Sequence, residues 1–244
     1  MGLLLLLGTL ACVSLLVGSS QLPARQVLGS LLGQDQPMVD IIVWQVRLPR
    51  TLLAIIVGGS LALAGAVLQG LLRNPLAEPG LIGVSGAAAL GAVIAFYTGL
   101  VNSLPLALPL GGLLGAALAV ASLLLLAGRS QSTLTLILAG VAVNSLAGAL
   151  TALALSLSPN PFAALEIVFW MLGSLANRGM DEVWLAASLA FPGCLCMLML
   201  GRGLTALTLG ESVAISLGVD MQRLRWLAVL SAALAVGASV SVTG

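Results

Sequence analysis

The chain has 244 residues, 60% hydrophobic and 7% charged, and a mean hydropathy of +1.18. Soluble domains carry roughly 25% charged residues, so this composition excludes one and points to an integral membrane protein. The net charge is +1, with nine arginines and neither lysine nor histidine, which leaves no basic field for a nucleic acid.

The apolar runs set the fold class. Segments of about 20 residues cross a hydrocarbon layer of about 30 Å as helices, whereas a barrel would show alternating segments of about 10 residues, and none occurs. The expectation is an all-α integral membrane protein, a polytopic helix bundle occupying residues 1–244 as one domain. In chain order the expected spans are Leu3 to Val17, Thr51 to Leu72, Leu81 to Leu100, Leu106 to Ala127, Leu134 to Leu157, Val183 to Leu200 and Trp226 to Val242, seven in all. The first lacks the basic flank of a secretory signal and reads as a helix of the bundle. The apolar segment Phe162 to Leu175 has 14 residues, which suits an interfacial or re-entrant helix better than a crossing. Cys12, Cys194 and Cys196 all fall in apolar runs and read as small hydrophobes. With the amino terminus inside, Arg73, Arg129, Arg202, Arg223 and Arg225 are cytoplasmic, and Arg25, Arg47, Arg50 and Arg178 are outside. Five against four orients the chain weakly.

Between the second and third spans stands "RNPLAEPGLIGVSG", Arg73 to Gly86. Pro75, Pro79 and Gly80 forbid a continuous helix, so a tight turn is expected, with Asn74 suited to precede a proline. Beyond it Gly83, Ser85, Gly86, Ala87, Gly91 and Ala92 are expected in one helix, small residues that pack closely against a neighbour or line a narrow path. Gly140, Asn144 and Gly148 share one helical face and invite the same close packing. Between the last two spans lies the polar island Leu207 to Arg225, which reads as a short helix with Glu211 near its start, Gly218 as its terminator and Asp220 as the cap of the next helix.

The run Val43 to Ala92, with its "RLPR" and "NPLAEPGLIGVSGA", resembles the membrane-spanning subunit of the FecCD-type ABC importers, which take up iron-siderophores, haem and cobalamin. The later segments "LTLILAGVAVNSLAGAL", "EIVFWMLGSL" and "LTLGESVAISLGVD" are similar to that family in the same order. Family subunits are similar in having about ten helices, of which about seven are seen here, and the spans beginning at Thr51 and Trp226 echo one another as halves of an inverted repeat would. The resemblance therefore implies a permease truncated at its carboxyl end.

The resemblance also implies particular contacts. The loop at 207–225 would be the coupling element docking on a separate ATP-binding cassette subunit, with Glu211, Ala214, Leu217 and Gly218 as contacts. Arg47 and Arg50 would pair with glutamates of a periplasmic or lipid-anchored substrate-binding protein. Gln69, Ser85, Ser132, Thr133 and Asn144 would line the path or gate, and a second permease subunit would complete it. The chain has no GxxxxGK[ST] loop, so no cofactor is expected on it and ATP is expected on the partner. The implied activity is transport rather than catalysis: import of a metal chelate, iron-siderophore favoured with haem or cobalamin as alternatives, across the cytoplasmic membrane of a bacterium. Two other classes compete. A Gly-x-Ser-Gly hydrolase built on Ser85 would need a histidine, and a channel or ion-driven carrier would need an ionisable group inside a span, where none is expected.

Overall fold

The computed structural model describes residues 2–18, 20, 22–34, 36–104, 106–127, 133–158 and 161–243. Its helices are α1 (Gly2–Leu16), α2 (Ala24–Leu31), α3 (Pro37–Asp40), α4 (Leu48–Leu72), α5 (Val84–Tyr97), α6 (Ala107–Ala127), α7 (Thr133–Ser156), α8 (Pro161–Met171), α9 (Met180–Met199), α10 (Gly201–Thr208), α11 (Glu211–Ser216) and α12 (Met221–Thr243). Each expected apolar span is a helix, and no strand occurs among the described residues. Among the described residues, five helices are long and apolar enough to cross a membrane, while α1 and α5 are apolar but shorter.

Several boundaries differ from the sequence expectation. The second span begins at Pro37 rather than Thr51, because α3, a π-helical stretch Ile41–Arg47 and α4 form one helix of 36 residues. Pro49 explains the π register. It cannot donate to a carbonyl one turn back, and the widened turns before it absorb the misfit. The third span is helical only over Val84–Tyr97. Its expected start is taken by a 3-10 turn, Pro79–Ile82, and Gly83 is a left-handed hinge at φ +73 instead of a helical residue. The last span starts at Met221, five residues before Trp226, because Asp220 Oδ1 accepts the Arg223 N–H at 3.0 Å and caps the helix early. The short segment after Pro161 is an 11-residue helix, about 16 Å long, half of a crossing.

Small residues decide how the helices meet. α12 is the central helix, with Ala228, Ala232, Ala235, Val236 and Ala238 wholly buried. It runs antiparallel to α9, where a Cβ on Gly193 would stand 2.9 Å from the Ser231 carbonyl. α5 and α6 run antiparallel so closely that side chains at Gly91 or Gly115 would overlap the backbone carbonyls of Gly111 and Ala87. In a bilayer, where lipid is as apolar as leucine, such contact supplies the packing attraction that hydrophobicity cannot.

Local chemistry shapes the turn Arg73 to Gly83. Arg73 leaves α4 in the left-handed region at φ +50, and Asn74 Oδ1 accepts the Leu76 N–H at 2.9 Å, an Asx turn ahead of Pro75's rigid ring. The chain then climbs alongside α7. There Gly140 has no room for a Cβ because the Leu81 carbonyl lies against it, and Asn144 packs over Gly83 and Gly86. Gly148, one turn further, meets nothing within 4 Å, so the expected face packs through Gly140 and Asn144 alone. Non-helical backbone about 10 Å into a bundle is tolerable only where protein covers it, and Ala77 and Ile82 are 2% and 4% exposed.

Candidate functional site

At the end of the bundle where α4 finishes, α9 bends at Leu200 into α10, and a Cβ placed on Gly70 of α4 would stand 3.7 Å from the Leu204 side chain of α10. A short loop through Gly210, at φ +113, leads into α11. The end of α11 is held by a paired cap: the Val219 N–H donates to the Ala214 carbonyl at 3.0 Å and the Gly218 N–H to the Ile215 carbonyl at 2.9 Å. This pairing requires a left-handed residue between, which is Gly218 at φ +84, as the sequence predicts. Arg225 of α12 donates to Glu211 Oε1 at 2.8 Å and ties the start of α11 to the body. Glu211 is half exposed, so this ion pair contributes positioning more than stability.

The same geometry sorts the predicted contacts. Leu217 and Gly218 face outward, Leu217 at 63% exposure, together with Leu209 and Ile215 at 66% and 57%. Ala214 is wholly buried against the body, so it seats α11 and is not available to a partner. Glu211 is spoken for by Arg225 and retains only its outer edge. The result is an apolar projection on a helix rigidly fixed at both ends. Leu209 and Ile215 belong to it although neither stands among the contacts that the sequence predicts; an isolated leucine before a glycine gives no periodic signal.

The predicted path residues are not gathered into one cluster. Asn144 on α7 lies against Gly86, next to half-buried Ser85 on α5, so these two share the α5–α7 contact. Gln69 is exposed on the last turn of α4, and its side chain makes no hydrogen bond to either among the described residues. Thr133 opens α7, with its side chain not described, and Ser132 lies outside the described residues.

At the opposite end the two predicted docking arginines separate. Arg47 is 6% exposed, and its guanidinium donates to the carbonyls of Leu15 and Leu16, each at 2.8 Å, and to the Ser20 carbonyl and hydroxyl at 2.6 and 3.0 Å. It satisfies the carbonyls that the end of α1 would otherwise leave unpaired. Arg47 therefore staples α1 to the long helix and does not stand at the surface ahead of a span. The cue lay in "VGSS" after α1, a helix end without a cationic cap of its own. Arg50, one turn on, is exposed and has no ion pair among the described residues. An ionisable group thus does lie within a long helix, against the sequence expectation, but it serves α1 and not a proton relay.

The sequence profile of the FecCD transport family matches residues 4–244. Among curated proteins the chain is similar to the uncharacterized ABC transporter permease protein YvrB of Bacillus subtilis, at 39% identity over 90% of this chain and 63% of that protein. It is also similar to the vitamin B12 import system permease protein BtuC of Vibrio cholerae, at 41% identity over 83% of this chain and 61% of that protein. The BtuC of Klebsiella pneumoniae matches at 37% identity over 100% of this chain and 71% of its own length. The chain thus spans about 61–63% of the length of the first two relatives. Among solved structures, a chain of an ABC transporter assigned to the metal-chelate type, in an inward-facing conformation, superposes with a TM-score of 0.83 at 34% identity, covering 100% of this chain and 75% of that one. On the profile match and these identities together, the chain belongs to the FecCD transport family.

Proposed function

We propose that this chain is the membrane-spanning part of a permease subunit in an ATP-driven ABC importer, carrying a bulky metal chelate inward across a bacterial cytoplasmic membrane. The observation that carries the reading is the α10–α11 projection. Ile215 and Leu217 are exposed at the end of the bundle on α11 and its terminus, fixed by the Gly218 cap and the Arg225–Glu211 pair, with exposed Leu209 beside them at the end of α10. A solvated loop has no use for such a rigid apolar knob, whereas a groove on a separate ATP-hydrolysing subunit does. ATP is bound and hydrolysed on that partner, and this chain contributes no catalytic group.

On the opposite end we assign contact with a substrate-binding protein to Arg50 alone, since Arg47 is consumed inside. A second permease subunit would complete the path. For the cargo, the relatives named for vitamin B12 import support a corrinoid, while the segment "SPNPFAALEIVFWMLGSL" favours an iron chelate. Uptake of labelled cobalamin, haem and ferric siderophores by a permease-null strain carrying the complete gene and its partners tests this directly. Accumulation of one of these with dependence on the ATPase supports the reading; ATP-independent flux, or uptake of none, refutes it.

A further inference from the structure

A cleft of about 470 Å³ opens between the last turns of α1 and the π-helical stretch that leads into α4. Its wall joins Arg47, Arg50 and Ser20 to Leu10, Val13 and Val46. These three apolar side chains are each more than half exposed. Leu10 stands about 9 Å down α1 from Leu16, so the open apolar wall runs from the charged end of the cleft into the depth of the bundle.

The charges around the cleft do not balance. Arg47 is buried with neutral partners only, the carbonyls of Leu15, Leu16 and Ser20 and the Ser20 hydroxyl. Those four bonds use Nη1 and Nη2, and the fifth donor, Nε–H, has no acceptor among the described residues. A Cβ on Gly18 would stand 3.1 Å from Nε, so the bare glycine leaves that side of the guanidinium open to the cleft. Arg50, one turn on, adds a second cation with no ion pair among the described residues. No carboxylate lines the cleft, and Asp40, two turns ahead of Arg47, spends its oxygens on the Ser30 hydroxyl and the Gln36 N–H. Two guanidinium groups beside one cavity repel each other, and the buried one lacks a counter-charge.

We propose that this cleft binds an anionic phospholipid, its phosphate diester between Arg50 and the free Nε–H of Arg47 and an acyl chain along Leu10, Val13 and Val46. Guanidinium groups match phosphate oxygens in geometry and charge. An apolar wall that begins where the cations end fits a lipid at the boundary of headgroup and hydrocarbon, and gives a free anion nothing to contact. A choline or ethanolamine headgroup would bring a third cation to the two already there, so an uncharged headgroup such as glycerol is favoured. Arg50 is also the cation assigned to the substrate-binding protein, and the two anions would use it in turn, so the site is tested with that protein absent.

Native mass spectrometry of the complete permease with its ATPase, released from micelles doped with phosphatidylglycerol or phosphatidylcholine, reads the lipid retained. The unmodified protein should hold phosphatidylglycerol in preference to phosphatidylcholine. Val13→Trp fills the cleft from an exposed position on α1, and should abolish that preference while leaving the thermal midpoint in lipid-free detergent unchanged. Arg50→Gln should weaken retention by about five-fold, and Arg50→Lys, which keeps the charge, should recover most of it. Equal retention by the Val13→Trp and unmodified proteins overturns the site, as does phosphatidylcholine held as tightly as phosphatidylglycerol. If inorganic phosphate binds the lipid-free permease and displaces phosphatidylglycerol, the cleft is a site for free phosphate and the lipid assignment falls.

Discussion

Arg47→Ala should free the end of α1 without disturbing the surface that meets other proteins. α1 has no buried residue, so its attachment rests on the end of the helix. Four guanidinium hydrogen bonds between 2.6 and 3.0 Å hold it there, supplemented by the Ser14–Thr51 hydroxyl pair at 2.8 Å. Hydrogen bonds to a charged group contribute roughly 1.5–3 kcal/mol each, but burying the guanidinium opposes them, and the carbonyls released on truncation regain some water. A net loss of about 3 kcal/mol is the result, against about 1 kcal/mol remaining in the hydroxyl pair. Since 1.4 kcal/mol is a factor of ten, amide exchange at Val17 and Leu22 should rise by roughly 100-fold. Arg47→Lys keeps the charge but not the planar fork, and should fall between the two. Hydrogen exchange in lipid nanodiscs measures this. Unchanged exchange at those amides, combined with weakened binding of the substrate-binding protein, would refute the staple and return Arg47 to the surface role that the sequence suggested.

Other outcomes depend on particular contacts. Gly115→Ala forces a methyl group onto the Ala87 carbonyl and should lower stability by about 1–3 kcal/mol, whereas Gly148→Ala, in open space, should be neutral or stabilise by up to about 1 kcal/mol; thermal unfolding in matched detergent compares them. Gly218→Ala must hold φ near +84 with a side chain, costing about 1 kcal/mol and loosening α11, which faster exchange at the Val219 amide would report. Arg50→Glu should weaken docking of the substrate-binding protein, with an effect that fades at high salt, and leave association with the ATPase intact; equal docking at low salt refutes it.

Composition and periodicity made the helical class, the apolar segments and the Gly218–Asp220 punctuation legible, because each is a local property. Non-local partners were not. That Arg47 faces inward depends on α1 returning to it from 31 residues upstream, a contact with no periodic trace. Whether Ala214 faces the body or a partner depends on how α11 lies against α12, and a six-residue helix has too few turns to display a face. The glycines on α5 and α6 announced close packing but not which backbones would meet. The expected start at Thr51 failed because Pro49, although proline favours a first turn, is preceded by π turns that let the helix run through.

The proposed importer depends above all on the α10–α11 knob being the seat of an ATP-hydrolysing partner. A photo-crosslinking residue placed at Leu217, in the complete permease assembled with its partners, measures this most directly. Crosslinks to the ATPase are predicted from Leu217 and from Ile215, and none from exposed Met38 at the other end of the bundle. Crosslinking to the ATPase from Met38 with none from Leu217 and Ile215 would contradict the assignment.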